Sequence, residues 1–297
     1  MNPIPSLRQL SYLIALHEHG HFGNAATACF VSQSTLSVGI AELERLLGTR
    51  LVERSKRHVR FTPIGEEIVV RAGQTVRAAE DLFAAAQRPH EPLVGPLRMA
   101  VIPTVAPFLL SSILPSLERD WPRLQLYVRE MVTSVACEAM ERSTIDCVLL
   151  ALPVECGDVE SMDILVDRLI LVAAKGRDEM ASPLCDADND RLLLLGDGHC
   201  LKAHALAVCN RAAAEADSRL VAATLHTLVQ LVDAGLGYTL LPQMAIDAGI
   251  LDGTSVETRP AQSLHATRTI ALVWRSGHPR TSDFRLLGET IRRAVGA

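Results

Sequence analysis

The sequence predicts an α/β protein: a helical N-terminal module, one long helix, and a larger C-terminal part in which strands alternate with helices. Three observations support this. Helical periodicity dominates residues 1–62, an apolar seam runs from Ile64 to Ala86, and short apolar strands alternate with amphipathic helices after residue 95. With 297 residues, 48% hydrophobic and 21% charged, the chain is an ordinary globular protein with room for two or three domains.

The charge is unevenly distributed along the chain. The net charge is −5, but residues 1–90 contain ten Lys/Arg and eight Asp/Glu, a net of +2, so the remainder carries −7. A basic module on an acidic body favours a nucleic-acid partner for the module. The low aromatic content, 4%, argues against a stacking surface for single strands.

The N-terminus and the cysteines suggest a compartment. Residues 1–6 show no cationic region before an apolar run, and no apolar stretch has the length of a membrane span, so we expect a cytoplasmic protein with no membrane partner. The seven cysteines lack paired short spacings, so we expect no metal site, no cofactor and no structural disulfide framework. We assign Cys29 and Cys147 to packing and expect no partner for Cys137, Cys156 and Cys185.

The N-terminal module is predicted to contain a helix-turn-helix. Ser6 caps a first helix, a short helix covers about 24–29, and Ser32 caps a third helix over 33–47 that Gly48 ends. The third helix begins with small polar side chains that can bond base edges and phosphates in a major groove. These are Ser32, Gln33, Ser34, Thr35 and Ser37. The alternative is a plain three-helix packing unit.

A basic hairpin is predicted over 51–62. The eleven positions 50–60 hold five cations and one acid, Glu53, which indicates a wing on the phosphates of double-stranded promoter DNA. Among those cations we choose Arg50, Arg54 and Lys56 as DNA contacts.

A long helix follows the hairpin. Thr62 and Pro63 begin it, and its single apolar seam is more typical of a coiled-coil dimer contact than of a core helix. The predicted domains are 1–62, which binds DNA; 63–90, a linker (dimerisation) helix; and 91–297, a regulatory part.

The regulatory part is predicted to have two α/β lobes. Strands near 96–102, 124–130 and 146–152 alternate with helices, which indicates a parallel sheet with helices on both faces. A second set follows, and a late strand at 269–274 is expected to return to the first lobe. Lobe I is then about 96–163 and 268–297, lobe II is about 164–267, and the cleft between them is the default ligand site.

The segment 192–209 carries the thiol chemistry. Four leucines predict a buried strand, Gly196 and Gly198 a turn, and Cys200 the first turn of a helix, where the dipole and nearby Lys202 favour a thiolate. Cys209 lies nine residues later, roughly 13 Å along a helix. A disulfide needs Cα atoms within about 7 Å, so pairing these thiols requires the helix to unfold. The spacing fits a redox switch or two unrelated buried cysteines.

The layout resembles the LysR-type transcriptional regulators. The residues that carry this resemblance are Ala25-Ala26, Val31-Ser32-Gln33, Thr35-Leu36-Ser37, Ile40-Ala41-Glu42-Leu43-Glu44, Leu46-Leu47-Gly48 and Phe61-Thr62-Pro63-Ile64-Gly65. Ser34 stands where the family usually has proline. The resemblance implies a winged helix-turn-helix, a linker helix and a two-lobed domain similar to periplasmic binding proteins. It also implies a homodimer through the linker helix, a homotetramer, and RNA polymerase as a partner.

The segment Gly196-Asp197-Gly198-His199-Cys200 with Cys209 resembles the hydrogen peroxide-sensing branch of that family. This implies that Cys200 is the peroxidatic thiol and Cys209 the resolving one. It places Thr104, Thr133, His199 and Arg268 around Cys200. It further implies a non-enzymatic activator of antioxidant genes, such as those for catalase and alkyl hydroperoxide reductase, reduced by glutaredoxin or thioredoxin.

Other functions stay open for the sequence. A small-molecule inducer in the cleft would make both cysteines incidental. A thiol peroxidase would leave the helix-turn-helix without a role, and a solute-binding transport protein would need an export signal. Thr104, His199 and Arg268 each also fit a structural role: a loop contact, a packing residue and a salt bridge between lobes, respectively.

Overall fold

In the computed structural model the chain divides into two compact units, Met1–His90 and Glu91–Ala297, and each is described by itself. The structure describes residues 4–54, 59–87, 91–176, 192–209, 220–261 and 266–296. The predicted wing tip, with Lys56, and Cys185 lie outside these residues.

The first unit is a helical domain with a small hairpin. Its elements are α1 (Leu7–His19), α2 (Phe22–Ala28), α3 (Gln33–Leu47), β1 (Val52–Arg54), β2 (Val59–Phe61) and α4 (Pro63–Gln87). The predicted caps are confirmed. Ser6 and Gln9 form a capping box on α1, the Ser32 hydroxyl accepts from the Thr35 N–H at 3.1 Å, and left-handed Gly48 ends α3. Antiparallel pairing of β1 with β2 confirms the hairpin.

The apolar seam of α4 has two parts. Ala72 is buried, and Ile68 and Val76 pack against the core that α1 and α3 supply. The expectation that the whole seam is a dimer contact is therefore wrong for this stretch, because α1 covers it within the same chain. Further along, the Leu82 side chain is 73% exposed in the monomer.

The second unit contains a mixed sheet with flanking helices. Its elements are β3 (Gly95–Val101), α5 (Ala106–Asp120), β4 (Leu124–Glu130), α6 (Thr133–Glu141), β5 (Cys147–Leu152), β6 (Val159–Ala174), β7 (Leu194–Leu195), α7 (Cys200–Val208), β8 (Val221–Ala222), α8 (Leu225–Asp233), β9 (Tyr238–Pro242), α9 (Gln243–Asp247), β10 (Val256–Pro260), β11 (Thr267–Arg275) and α10 (Thr281–Ala294).

The sheet is parallel only in part. Strands β4, β3 and β5 run parallel, whereas β11 pairs antiparallel with both β5 and β6. The far half of β6 pairs antiparallel with β9 and β10. The parallel arrangement predicted for the three strands of lobe I is confirmed, and β11 returns to lobe I as predicted; the second set differs, because β6 pairs antiparallel with β9 and β10. Strands β6 and β11 carry the chain out of lobe I and back again, side by side, so they run in opposite directions.

The described residues of this unit form two hydrophobic cores, one for each lobe, and α7 contributes to both. Leu201, Ala205 and Cys209 are buried in the core of lobe II. Cys200, at the other end of the helix, packs against the core of lobe I. The helix is therefore anchored to lobe I at its first residue and to lobe II along its length.

A disulfide joins Cys137 in α6 to Cys156 in the segment after β5, with Cα atoms 5.0 Å apart. This corrects the expectation that neither residue has a partner. The two cysteines are 19 residues apart, and they meet because the segment after β5 folds back along α6. Cys147 is fully buried in β5, in keeping with a packing role.

Replacement of Gly65 by alanine should destabilise the first unit by about 1–3 kcal/mol, because a Cβ there would lie 2.1 Å from the Leu51 carbonyl oxygen. Gly73→Ala on the same helix is the matched control, since no atom lies within 4 Å of its Cβ position. That control should be neutral or stabilising by about 0.5–1 kcal/mol. Urea unfolding followed by circular dichroism measures both effects, and equal midpoints would contradict the assigned contact.

Candidate functional site

A glycine turn places Cys200 at the start of α7. Gly198 has a φ of +86°, and a Cβ there would lie 2.9 Å from the Ser134 hydroxyl. Glycine is thus required at position 198 for two reasons: the backbone there is left-handed, and it closely approaches the first turn of α6. After this turn, Cys200 is the first residue of α7. Its side chain is half-buried and packs against the core of lobe I.

The surroundings of Cys200 favour the thiolate. Burial raises the pKa of the thiol, but hydrogen bonds with His204 and Thr133 and the positive charges of Arg268 and His204 lower it more. The net result is a pKa below the ordinary value of 9.0. Since the thiolate is the reactive form of cysteine, a shift in this direction favours nucleophilic reactivity of the thiol.

His204 lies one turn after Cys200 on the same face of α7. Its Nδ1 is 2.8 Å from the Cys200 carbonyl oxygen and its Nε2 is 2.8 Å from the Leu152 carbonyl oxygen. Both oxygens are acceptors, so both contacts are hydrogen bonds only when the ring is protonated. Burial lowers the pKa of His204, but its hydrogen bonds with Cys200 and Leu152 raise it above the ordinary value of 6.5.

Of the cations expected near Cys200, Arg268 lowers the pKa of the thiol, and His204, which was not singled out from the sequence, lowers it as well. Lys202 Nζ pairs with Asp197 at 2.7 Å instead. His199 is the N-cap residue of α7 but makes no capping bond, and burial lowers its pKa, with Glu130 opposing, so it favours the neutral form. The spacing of four residues between Cys200 and His204 could have identified His204, because residues i and i+4 share a helix face.

Arg268 is buried at the junction of the lobes. Its Nε lies 2.9 Å from Asp167 Oδ2 on the neighbouring strand, and its Nη1 and Nη2 donate to the Thr104 hydroxyl at 2.8 Å and the Thr104 carbonyl at 3.0 Å. Burial raises the pKa of Asp167, and Arg268 opposes that shift. Because the Thr104 oxygen accepts from Arg268, its own O–H can donate to another acceptor.

Thr133 is the first residue of α6 and is 7% exposed. Its hydroxyl faces the Cys200 sulfur and, among the described residues, has no other hydrogen-bond partner. A buried hydroxyl with unused bonding capacity beside a thiolate can hold a small polar oxygen compound. The structure thus connects Thr133 and Arg268 with Cys200, and Thr104 with Arg268.

Cys209 is at the opposite end of the helix. It is the C-cap residue of α7, it is 5% exposed in the core of lobe II, and it is not disulfide-bonded to Cys200. The intervening helix spans Cys200–Val208, as the sequence predicted. A disulfide between these two thiols therefore requires α7 to unfold.

The start of α3 exposes short polar groups. The Ser32 hydroxyl lies 2.8 Å from that of Ser34 and 2.7 Å from that of Thr35, while Gln33 is exposed beside them and Ser37 is half-buried. Together they form the polar end that a helix inserted into a major groove would present.

Arg50 and Arg54 belong to the segment around β1. Arg50 is exposed just before the hairpin, and its carbonyl accepts from the Thr62 hydroxyl at 2.9 Å. Arg54 is the last residue of β1. The hairpin predicted from the sequence thus begins where expected in the first unit.

Within the described residues, the second unit also contains an open groove of about 750 Å³. Its lining includes Phe108 from α5, Val166 and Arg168 from β6, and Gln243 and Met244 from α9. No cluster of three or more His, Cys, Asp or Glu side chains is arranged to bind a metal in the part of the chain that the structure describes. The described helices include none that is both long and apolar enough to cross a bilayer.

Replacement of His204 by glutamine should raise the pKa of Cys200, because it removes the cation beside the thiolate. The alkylation of Cys200 by iodoacetamide at pH 7 should slow about tenfold, and its rate should level off at a higher pH than in the wild type. Lys202→Gln is the matched control and should change the rate less than about twofold, since Lys202 pairs with Asp197. Equal rates in the two variants would contradict the role given to His204.

Comparison with known proteins places both units in one family. Residues 7–66 match the bacterial regulatory helix-turn-helix protein model of the lysR family, and residues 90–296 match the LysR substrate binding domain. The HTH-type transcriptional regulator EstR of Acinetobacter baylyi is 41% identical over 99% of this chain and 98% of its own. The DNA-binding transcriptional dual regulator OxyR of Escherichia coli is 36% identical over 97% of this chain and 95% of its own.

Solved structures show the same architecture. A full-length OxyR variant from Pseudomonas aeruginosa has a TM-score of 0.77 and 31% identity, covering 98% of this chain and 95% of its own. A hydrogen peroxide-bound OxyR cysteine variant from Corynebacterium glutamicum has a TM-score of 0.65 and 32% identity, covering 100% of this chain and 94% of its own. The two matched domains, the fold and the full-length relatives agree. This chain belongs to the LysR family of bacterial transcriptional regulators.

Proposed function

We propose that this regulator senses hydrogen peroxide through Cys200 and switches the transcription of antioxidant genes. The observation that carries the proposal is the setting of Cys200, whose thiol lies against the His204 ring and the buried Thr133 hydroxyl, both of which lower its pKa. Such a site favours a nucleophile that reacts with a small polar oxidant. The OxyR relatives, one of them peroxide-bound, support this choice of oxidant.

The proposed chemistry proceeds in two steps. The Cys200 thiolate attacks one peroxide oxygen and the O–O bond breaks, giving a sulfenic acid and hydroxide, which takes a proton to become water. We assign that proton to His204, whose side chain is hydrogen-bonded with that of Cys200, and we assign Thr104 and Thr133 to hold the peroxide oxygens. The Cys209 thiol then displaces the sulfenic oxygen as a second water, which leaves a Cys200–Cys209 disulfide. Glutaredoxin or thioredoxin returns the two electrons and protons.

The proposed switch is the unfolding of α7. Cys200 belongs to the core of lobe I and Cys209 to the core of lobe II, so joining them removes residues such as Leu201 and Ala205 from their places in lobe II. We propose that this changes how the lobes contact other subunits in a homotetramer of dimers paired through α4. The spacing of the DNA-binding units, and with it contact with RNA polymerase, changes in turn.

The proposed DNA interface is the start of α3 together with the segment around β1. Gln33, Ser34 and Thr35 read bases in the major groove of promoter DNA, with Ser32 and Ser37 beside them. Arg50, Arg54 and Lys56 contact phosphates. A regulator with these contacts works in the cytoplasm, where the promoter lies.

A small-molecule inducer is the second candidate function. The groove of about 750 Å³ beside α9 has the size of a ligand site and both apolar and charged walls. EstR, at 41% identity, is a regulator whose name does not mention peroxide. Under this function Cys200 and Cys209 are incidental, and a Cys200→Ser variant keeps its response.

One equivalent of hydrogen peroxide should remove two hydrogens from the wild-type chain, and peptide mapping by mass spectrometry should place the loss at Cys200 and Cys209. The Cys200→Ser variant should lose this product, and Cys209→Ser should retain a dimedone-reactive sulfenic acid at Cys200. Cys29→Ser, in the first unit, is the control and should behave as the wild type. An unmodified Cys200 in the wild type would reject peroxide sensing and favour the inducer.

Replacement of Arg50 by alanine should weaken binding to a random-sequence DNA duplex by removing one phosphate contact. The slope of log K against log salt should fall by about 1. Arg71→Ala is the matched control, because Arg71 is exposed on α4 and paired with Glu67. If the Arg71 variant lost as much slope as the Arg50 variant, the assigned phosphate contact would be wrong.

A further inference from the structure

Three residues on one face of α6 make contacts that link the Cys200 site with the Cys137–Cys156 disulfide. Thr133, Cys137 and Glu141 are spaced four residues apart, so they lie in one row along the helix. Thr133 faces Cys200, and Cys137 is joined to Cys156 by the disulfide. Glu141 lies close to Gly157, since a Cβ added at Gly157 would be 3.1 Å from the Oε1 atom of Glu141. The helix that supplies the pocket hydroxyl is therefore the helix that carries the disulfide.

The other end of the disulfide also leads to the Cys200 site. Cys156 lies in the segment that follows β5, four residues after Leu152. The Leu152 carbonyl is the acceptor for His204 Nε2. The disulfide thus joins α6 to the segment after β5. The first supplies the Thr133 hydroxyl beside Cys200, and the second follows Leu152, whose carbonyl contacts His204.

The core of lobe I can hold both states of this pair. Cys137 and Cys156 are 5% and 3% exposed among apolar side chains. A thiol packs as a small apolar residue, so reduction leaves no strongly polar group buried there. The reduced and oxidised forms consequently fit the same surroundings, and the difference between them is whether α6 is tied to the segment after β5.

We propose that Cys137 and Cys156 form a second, reversible redox couple that adjusts the reactivity of Cys200. When the segment after β5 opens and exposes the two sulfurs, they exchange with low-molecular-weight disulfides such as glutathione disulfide. One protein thiolate attacks glutathione disulfide, breaks its S–S bond and forms a mixed disulfide with release of one glutathione thiolate. The second protein thiolate attacks the mixed disulfide and releases the other. The protein loses two electrons, and its two thiol protons end on the two glutathione molecules.

The first experiment tests the couple without Cys200 and Cys209. The full chain with Cys200→Ser and Cys209→Ser is equilibrated in glutathione buffers of graded composition, then denatured, alkylated and mapped by mass spectrometry. We expect a bridged Cys137–Cys156 peptide, two hydrogens lighter, in oxidising buffers and two alkylated cysteines in reducing ones. A pair that stays alkylatable in every buffer, or stays bridged in every buffer, overturns the reversible couple. Cys147, buried without a disulfide, serves as the internal control.

The second experiment tests the effect on Cys200, which rests on the proposed function. In the Cys209→Ser chain, the rate of Cys200 alkylation by iodoacetamide is compared between the bridged form and a form with Cys137→Ala and Cys156→Ala. We expect a difference of about threefold or more, because untying α6 displaces the Thr133 hydroxyl. Cys147→Ala is the matched control and should leave the rate unchanged.

The two readouts separate this proposal from the proposed function. Equal alkylation rates in the bridged and open forms overturn the coupling, whatever Cys200 does with peroxide. A Cys200 that alkylates at different rates in the two forms but does not react with hydrogen peroxide supports the coupling and rejects the sensor.

Discussion

The buried guanidinium of Arg268 is the interaction on which the regulatory unit depends. Pairing of β6 with β11 sets Arg268 opposite Asp167, and the remaining donors reach Thr104 and the Met244 sulfur. The other Asp167 oxygen accepts from the Met244 N–H at 3.1 Å. A buried ion pair is tolerated only when its partners are satisfied, so the crossing strands, the start of α5 and α9 must keep their positions together. The same charge helps to hold the Cys200 thiolate.

The protonation state of His204 affects how α7 is attached to lobe I. The ring bonds two carbonyl oxygens only as an imidazolium, and the thiolate of Cys200 helps to keep it protonated. In the proposed oxidation the sulfur loses that negative charge, which removes one of the causes that raise the pKa of His204. The contact with Leu152 joins α7 to lobe I. Under the proposed chemistry, oxidation of the Cys200 sulfur therefore weakens the contact that attaches α7 to lobe I.

Local features could be predicted from sequence, and features set by distant contacts could not. The caps at Ser6, Ser32 and Gly48 and the start of α7 at Cys200 depend on residues within one helical turn. That His204 contacts lobe I beside Cys200 depends on which face of α7 packs there. That Lys202 pairs with Asp197 depends on the conformation of the turn before α7. The disulfide of Cys137 and the antiparallel course of β6 and β11 depend on tertiary contacts that no local pattern contains.

Because Cys200 and Cys209 lie in different cores, the proposed chemistry includes a delay between formation of the sulfenic acid and formation of the disulfide. The sulfenic acid at Cys200 persists until α7 opens, and during that interval a second peroxide can carry the sulfur on to sulfinic acid. Resolution and overoxidation are then competing rates, the first set by local unfolding and the second by oxidant concentration. The packing of Leu201 and Ala205 in lobe II therefore does more than stabilise the fold. Under the proposed chemistry, this packing limits the peroxide dose from which the regulator can still be reset.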